Sequence, residues 1–458
     1  MAVFYSQSAS KEIIKIKNKL LTVSCQSLDL SCRGVCKKDS GWWFVPGLLP
    51  GEEAHVDIQT FKKGIGTATL KRVLTSSPLR KESGCALASR CGGCSIAYMP
   101  SEMALNAKIT GIQRLFCKSL KLQFTEPYFI VNSPETGYRR VCRLATRRDH
   151  GKVVVGFRNA FSQDIVPVEK CVVLTERLND VVSPLTKCIN QLAQIKKTVG
   201  HIELVDSAGA VGVYIRLTEV LNPEEESRLK TFAHDQKTKL VIYVAEPYRN
   251  IMGDEELRER CISENSEELY LYLDKYKVTF SPSAFIQINE AVNTQMVQKV
   301  LEAVQPKAGS TVLDLFCGLG NFSFPLAANG ATVRGVDIVS SMVKAGNDNA
   351  ASHGLTNLSF SVANLEEDFE KQLWAKDVYD AVVLDPGRAG AKRVSAFLGK
   401  LRPPLIVMIS CNPQAAARDV TELVKAGYRV ENWGVFDMFP RTTHVEMLLV
   451  LRKESSKK

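Results

Sequence analysis

Residues 281–458 alternate short apolar runs with helically spaced stretches, and this alternation constrains the fold more than any other feature of the chain. Strands that alternate with helices are buried on both faces of a parallel sheet, so the region reads as a doubly wound α/β fold. Its first run, Thr311-Val312-Leu313-Asp314-Leu315, leads into Phe316-Cys317-Gly318-Leu319-Gly320-Asn321. A strand entering a glycine turn lets a ligand approach the backbone at the carboxyl edge of the sheet.

The next run, ATVRGVDIV, ends in Asp337, 23 residues after Asp314. An acid at that place suits a ribose diol. The turn is not G-x-G-x-x-G and no phosphate-binding lysine follows it, which disfavours a dinucleotide or a nucleoside triphosphate. S-adenosylmethionine has ribose and adenine but no phosphate, and fits better. Asn364 follows the third run and Asp385 the fourth. Any one of these groups could be a solvated strand-end charge. Asp314, Asp337, Asn364 and Asp385 in strand order are the pattern of a class I methyltransferase.

Residues 403–409 (PPLIVMI) form the fifth run, and Cys411 follows it. Asn412 and Pro413 suit N-cap and first-turn positions, and QAAARDVTELVKAG continues with helical spacing to Gly427. A thiol at the mouth of that helix feels the positive end of its dipole, which favours thiolate. A small buried cysteine filling a strand end is the plainer reading of Cys411 alone. What precedes it argues otherwise. Amine-methylating enzymes of this fold place (N/D)PP(Y/F/W) after the fourth strand, whereas this chain has Asp385-Pro386-Gly387-Arg388, with no aromatic and no second proline. Carbon 5 of a pyrimidine becomes nucleophilic when a thiolate adds to carbon 6, and a base must then remove the carbon-5 proton. Residues 430–439 and 444–451 read as the last two strands, the second antiparallel, so Glu446 starts its strand on the edge where Cys411 ends one. Glu446 is the candidate base; a strand-opening charge in solvent is its bland alternative.

Four strings, DLFCGLGNF, LDPGRAG, SCNP-x-x-x-ARD and DMFP-x-T-x-HVE, together resemble the bacterial 5-methyluridine RNA methyltransferases that use S-adenosylmethionine. The likeness continues through SPSAFIQINEAVNTQM at 281–296 and spans nearly the whole chain. It implies Cys411 as nucleophile and Glu446 as base. It implies Gln287, Phe316, Asn321, Asp337, Asn364 and Asp385 as cofactor contacts, within a seven-stranded, Rossmann-like domain at 281–458. Asp337 replaces the glutamate more usual in the family, and Gly387 stands where many members have alanine.

Cys85-x5-Cys91-Gly-Gly-Cys94, with Cys171 far downstream, resembles the four-iron, four-sulfur ([4Fe-4S]) site of the ribosomal-RNA branch of that family. Four thiolates satisfy such a cluster, and the glycines allow a tight loop. Zinc also takes four cysteines, commonly as two close pairs, and Cys171 stands alone. Cys25, Cys32 and Cys36 read as packing. The chain carries thirteen cysteines and its start, MAVFYSQSAS, lacks the layout of a signal peptide, which argues against a disulfide framework and for a cytoplasmic protein.

Residues 1–75 are short alternating runs split by turns, a small barrel. WWFVPGLLPGE within them resembles the TRAM domain, an OB-like RNA-binding fold, with Lys62, Lys63, Lys71 and Arg72 toward phosphate. Residues 76–280 read as a mixed α+β central domain. There Tyr138 heads a run containing Arg139, Arg140, Arg143, Arg147 and Arg148, suited to phosphates and stacked bases unless it is a solvated strand edge. The net charge of +10 permits a polyanionic partner. The basic end at 453–458 reads as frayed. Barrel and cluster together favour carbon-5 methylation of a flipped uridine in 23S ribosomal RNA, by a monomer without a membrane partner. Transfer RNA as substrate, or a non-catalytic RNA-binding protein that keeps the fold, are the alternatives.

Overall fold

The strand Leu405–Ser410 is buried at all six positions, as a strand covered on both faces must be. In the computed structural model, which describes residues 20–38, 41–121, 123–249, 255–263 and 268–454, it lies within an eight-stranded sheet. The order across the sheet is Leu358–Val362, Thr332–Asp337, Thr311–Leu315, Ala381–Leu384, Leu405–Ser410, Glu446–Lys453, Tyr428–Phe436 and Phe129–Val131. The first five are parallel to one another. Glu446–Lys453 runs antiparallel to both its neighbours. The chain leaves the central strand Thr311–Leu315 toward both sides of the sheet, and a ligand crevice opens at such a switch point.

Seven of the strands come from residues 281–458, and the eighth joins the sheet from outside that region. Phe129–Val131 comes from the preceding region and pairs in parallel with Tyr428–Phe436, Phe129 lying opposite Gly434. A Cβ on Gly434 would stand 2.3 Å from the Phe129 ring, so glycine makes room for the added strand. Three residues are too few to show a period in sequence.

The helix Pro413–Lys425 begins as expected. Asn412 accepts hydrogen bonds from the Gln414 and Ala415 amides, with Pro413 in the first turn. Its amide also donates to the Arg388 carbonyl at 2.8 Å, tying the helix start to the neighbouring loop. Asn412→Ala should cost about 1 kcal/mol of stability, measurable as a lower urea midpoint with an unchanged slope.

Two compact units divide the chain: residues through Ser83 with Ser95–Ile112, and Gly84–Cys94 with Gln113–Lys458. The first holds a closed five-stranded barrel, Leu20–Leu28, Gly34–Lys38, Gly41–Val45, Ile65–Thr75 and Glu53–Lys62. Cys25 and Cys36 pack inside it with Trp43 and Val56, as their reading required. Lys62, Lys63 and Arg72 are exposed, while Lys71 pairs with Asp57 at 3.3 Å.

In the second unit a seven-stranded mixed sheet precedes the eight-stranded one. The helices Glu176–Gln191 and Pro223–Asp235 bury Leu178, Leu185 and Leu229 in one core with its strands. The arginine run divides here. Arg143 and Arg147 sit at the exposed strand surface, paired with Glu203 and Asp164. Tyr138 and Arg140 are buried, against the expectation that the run faces RNA. Arg140 donates to the Gln287 carbonyl and to Glu290, both at 2.9 Å, and so ties this sheet to the segment ahead of Thr311–Leu315. Among the described residues no helix is long and apolar enough to cross a membrane. Lys453 closes the last strand, and 455–458 lie outside the described residues.

Candidate active site

Strand register brings Cys411 and Glu446 together. Leu405 through Ser410 pair with Arg452 back through Met447, so the next step places Cys411 opposite Glu446. Both line a cavity of about 510 Å³ at the carboxyl edge of the sheet, with Asp337, Asp385, Phe316 and Arg388. That volume suits a small-molecule or single-base site.

Burial governs the acids here. Glu446 is only 8% exposed, and its Oε2 has no hydrogen-bond partner. Its carboxyl is held well above the usual range, first by burial and then by the Asp385 charge, while Arg388 opposes the shift. Burial also raises Asp385 to about 7. Asp314, fully buried, rises to about 7 first by burial and then by the Asp385 and Asp337 charges, although the Ser323 hydroxyl donates to it at 2.5 Å.

Cys411 departs from the expected thiolate. Burial, then Glu446 and Asp385, push its thiol up to about 11, and only Arg388 and the backbone pull it down. Desolvation and two neighbouring carboxyls outweigh the helix terminus. Burial and neighbouring carboxyls thus favour the protonated form of each group.

The glycine turn shapes the cofactor wall. Phe316 adopts φ 62°, an uncommon conformation for a bulky residue and one that marks functional turns. Gly320, at φ 92°, could not carry a Cβ without meeting Phe360 and Phe324 inside 3 Å. Asp337 accepts from the Gly318 and Val339 amides, both at 2.9 Å, holding the turn against the second strand. Gln287 donates to Asp385 at 3.2 Å. Asn321 exchanges two hydrogen bonds with Asn293.

Gln287, Phe316, Asn321, Asp337 and Asp385 all line the cavity with Cys411 and Glu446; Asn364 does not. Its side chain instead accepts from the Glu366 amide at 3.0 Å. Arg388 and His444 were given no role from sequence, yet both face the cavity. Arg388 Nη2 lies 3.3 Å from His444 Nε2, and the His444 ring packs edge-on against Phe439. Both stand inside the LDPGRAG and HVE strings, but a strand-end side chain gives no direction in sequence.

The profile of the tRNA (uracil-5-)-methyltransferase family matches residues 101–454. Relatives include the 23S rRNA (uracil(1939)-C(5))-methyltransferase RlmD of Pectobacterium atrosepticum, 35% identical over 98% of this chain and 97% of that one. The enzyme of the same name from Salmonella typhi is 37% identical, over 99% of this chain and all of its own. The chain belongs to the tRNA (uracil-5-)-methyltransferase family. Among solved structures it is similar to the Pyrococcus abyssi tRNA (uracil-54, C5)-methyltransferase in complex with S-adenosyl-L-homocysteine. That match has TM-score 0.70 and 25% identity, covering 94% of this chain and 99% of the other. As a member of this family the protein is an S-adenosylmethionine-dependent RNA uracil-C5 methyltransferase.

In this family member Cys85, Cys91, Cys94 and Cys171 are each half-buried. Cys91 bridges to Asn159, and its sulfur accepts from the Gly93 amide at 3.4 Å. Asn179 clasps Cys171 through both its amide and carbonyl. Burial raises the Cys94 thiol to about 11, with Cys171, Cys91 and Cys85 adding to the rise and Arg441 opposing it. Among the described residues no group of three or more His, Cys, Asp or Glu is set to hold a single metal ion.

Proposed function

We propose that this chain methylates carbon 5 of one uridine in 23S ribosomal RNA, with Cys411 as nucleophile and Glu446 as base. The observation that carries the reading is the register that sets a thiol and an unpartnered buried carboxyl opposite each other in one cavity. The substrate follows the two relatives at 35% and 37% identity.

Cys411 Sγ, once deprotonated, bonds to carbon 6 of the uracil, and the ring electrons move to carbon 5. S-adenosylmethionine supplies the methyl group as a sulfonium cation. Carbon 5 takes that methyl, Glu446 takes the carbon-5 proton, and the carbon–sulfur bond breaks to free Cys411. Gln287, Phe316, Asn321, Asp337 and Asp385 would hold the cofactor; Asp385 and the acids beside it favour a cation, and no lysine lines the wall for a phosphate. Asn364 would reach the ligand only from outside the lining residues.

Arg388 would ease both deprotonations, since its charge pulls down Cys411 and Glu446 alike. Both groups act in their ionised forms and both are raised, so activity should climb with pH. Arg388→Met should move that climb to higher pH and cut kcat/KM at pH 7 by about tenfold or more. A pH profile of methyl transfer for the two proteins checks this.

Cys85, Cys91, Cys94 and Cys171 would hold a [4Fe-4S] cluster. All four are half-buried and free of disulfides, and four thiolates satisfy such a cluster. Methyl transfer moves no electron, so the cluster would brace the loop that carries it. The region 1–75, of which residues 1–19 lie outside the described residues, would act as a TRAM domain and the region 76–280 as the cluster and RNA-binding domain, ahead of the catalytic region 281–458. The protein would act as a monomer in the cytoplasm on a loop whose uridine flips out of its stack.

Transfer RNA is the second reading, since the solved relative of TM-score 0.70 is a tRNA methyltransferase. Purified protein with labelled S-adenosylmethionine, offered a 23S fragment and a tRNA transcript, decides between them. Label confined to one uridine of the 23S fragment supports the reading; label in tRNA alone overturns it.

A further inference from the structure

The mixed sheet of the second unit has two unlike faces. Along Val141–Asp149, Val199–Asp206, Val211–Leu217 and Thr238–Arg249, one set of alternate side chains, among them Leu144, Ile202, Val213 and Ile242, joins the core shared with the helices Glu176–Gln191 and Pro223–Asp235. The other set lies on the opposite face, because side chains alternate along a strand. Register arranges that second set in two rows. Arg143 stands opposite Glu203, and Glu203 opposite Tyr214; His201 stands opposite Arg216, and Arg216 opposite Tyr243.

These six residues line a groove of about 630 Å³. Leu319, Val339 and Met342 line it too, and the same three line the cavity that holds Cys411 and Glu446. Groove and cavity therefore adjoin. Within the groove most charges are already matched. Arg143 pairs with Glu203 at 2.7 Å and lies 2.9 Å from His201 Nε2, and His201 lies 3.3 Å from Glu203. Arg216 differs. It is exposed, and it forms no ion pair among the described residues. Its guanidinium sits 5.7 Å from the centre of the Tyr243 ring, which packs in turn on Tyr214 at 5.8 Å. An arginine laid on an aromatic ring is held in place and offers a planar set of donors suited to phosphate.

We propose that this sheet face holds the RNA nucleotide beside the target uridine, with its phosphate on Arg216. The proposal rests on reading the adjoining cavity as the uridine site. A uridine flipped into that cavity leaves its flanking phosphates at the cavity edge, and contacts to phosphate fix the register of the strand. Arg216 is thus a positioning residue: it sets which base reaches Cys411 and touches no reacting atom.

The test measures binding and methylation of a 23S fragment by the full chain carrying Arg216→Met, Arg216→Lys or Arg228→Met. Arg228 lies on the helix Pro223–Asp235, which packs on the covered face, and serves as the control. Arg216→Met should weaken RNA binding about fivefold or more and lower the slope of log Kd against log salt by about one. KM for RNA should rise with Kd, while kcat and the KM for S-adenosylmethionine stay within about twofold. Arg216→Lys should keep the wild-type slope, and Arg228→Met should match wild type throughout. Neutral methylphosphonates, placed singly at the phosphates flanking the target uridine, locate the contact. At one of them wild type should lose the same factor in binding, and Arg216→Met should lose nothing further. An unchanged salt slope in Arg216→Met, additive losses at every flanking phosphate, or a rise confined to the KM for S-adenosylmethionine overturns the proposal. Wild-type protein that leaves the 23S fragment unmethylated overturns the functional reading, and the proposal with it.

Discussion

Cys411→Ala should lose methyl transfer by at least about 10⁴-fold while binding the RNA substrate within about threefold of wild type. The size of the loss follows from what the sulfur does. Without addition at carbon 6, carbon 5 of uracil is too weak a nucleophile to attack a sulfonium, and Cys317, a second thiol in the cavity lining, is buried and held well above the usual thiol range by that burial. Asp385 and Glu446, two acids of the lining, are carboxyls raised by burial and are far weaker carbon nucleophiles than a thiolate. Binding should survive because Cys411 is a small, half-buried side chain. Asn412 still caps the helix behind it. Single-turnover assays with labelled cofactor, beside filter binding of the same RNA, measure both quantities.

Glu446→Gln should fail at a different step. The amide nearly matches the carboxyl in size, so the cavity keeps its shape, and it removes one buried acid from beside Cys411. Addition and methyl transfer should therefore proceed, and loss of the carbon-5 proton should stall. Turnover should fall by about 10²- to 10⁴-fold, and a methylated RNA–protein adduct should accumulate on denaturing gels. The two substitutions thus separate by product: no adduct for Cys411→Ala, a persistent one for Glu446→Gln. A Glu446→Gln enzyme that turns over at the wild-type rate would remove the carboxyl from the mechanism.

The two residues were legible in sequence because their placement needs little tertiary information. A strand end, a cap at Asn412, a helix start at Pro413 and an antiparallel return at Glu446 follow from local pattern, and the pairing of Ser410 with Met447 realises them. What the sequence could not carry is the balance of burial against charge. A helix mouth argues for thiolate at Cys411, yet desolvation and two carboxyls prevail, and those neighbours meet only in the folded sheet. The eighth strand was hidden for a related reason: Phe129–Val131 is too short to show a period, and its partner lies some three hundred residues away in the chain.

The arginine run shows the same limit. Five closely spaced arginines look alike as text, but Arg140 is buried against Glu290 while Arg143 and Arg147 stay at the surface. Asn364 fits the strand order and still turns to the Glu366 amide, because a loop after a strand sets its own direction. Arg388 and His444 were present in the quoted strings; only the cavity gives them a place beside the thiol.

The most direct measurement uses RNA carrying 5-fluorouridine at the target position, where fluorine cannot leave carbon 5 as a proton does. Incubated with the protein and S-adenosylmethionine, then digested and read by mass spectrometry, it should yield a methylated nucleotide bonded to the peptide containing Cys411. An adduct on any other residue, or full methylation of natural RNA by an enzyme that never forms one, would contradict the account.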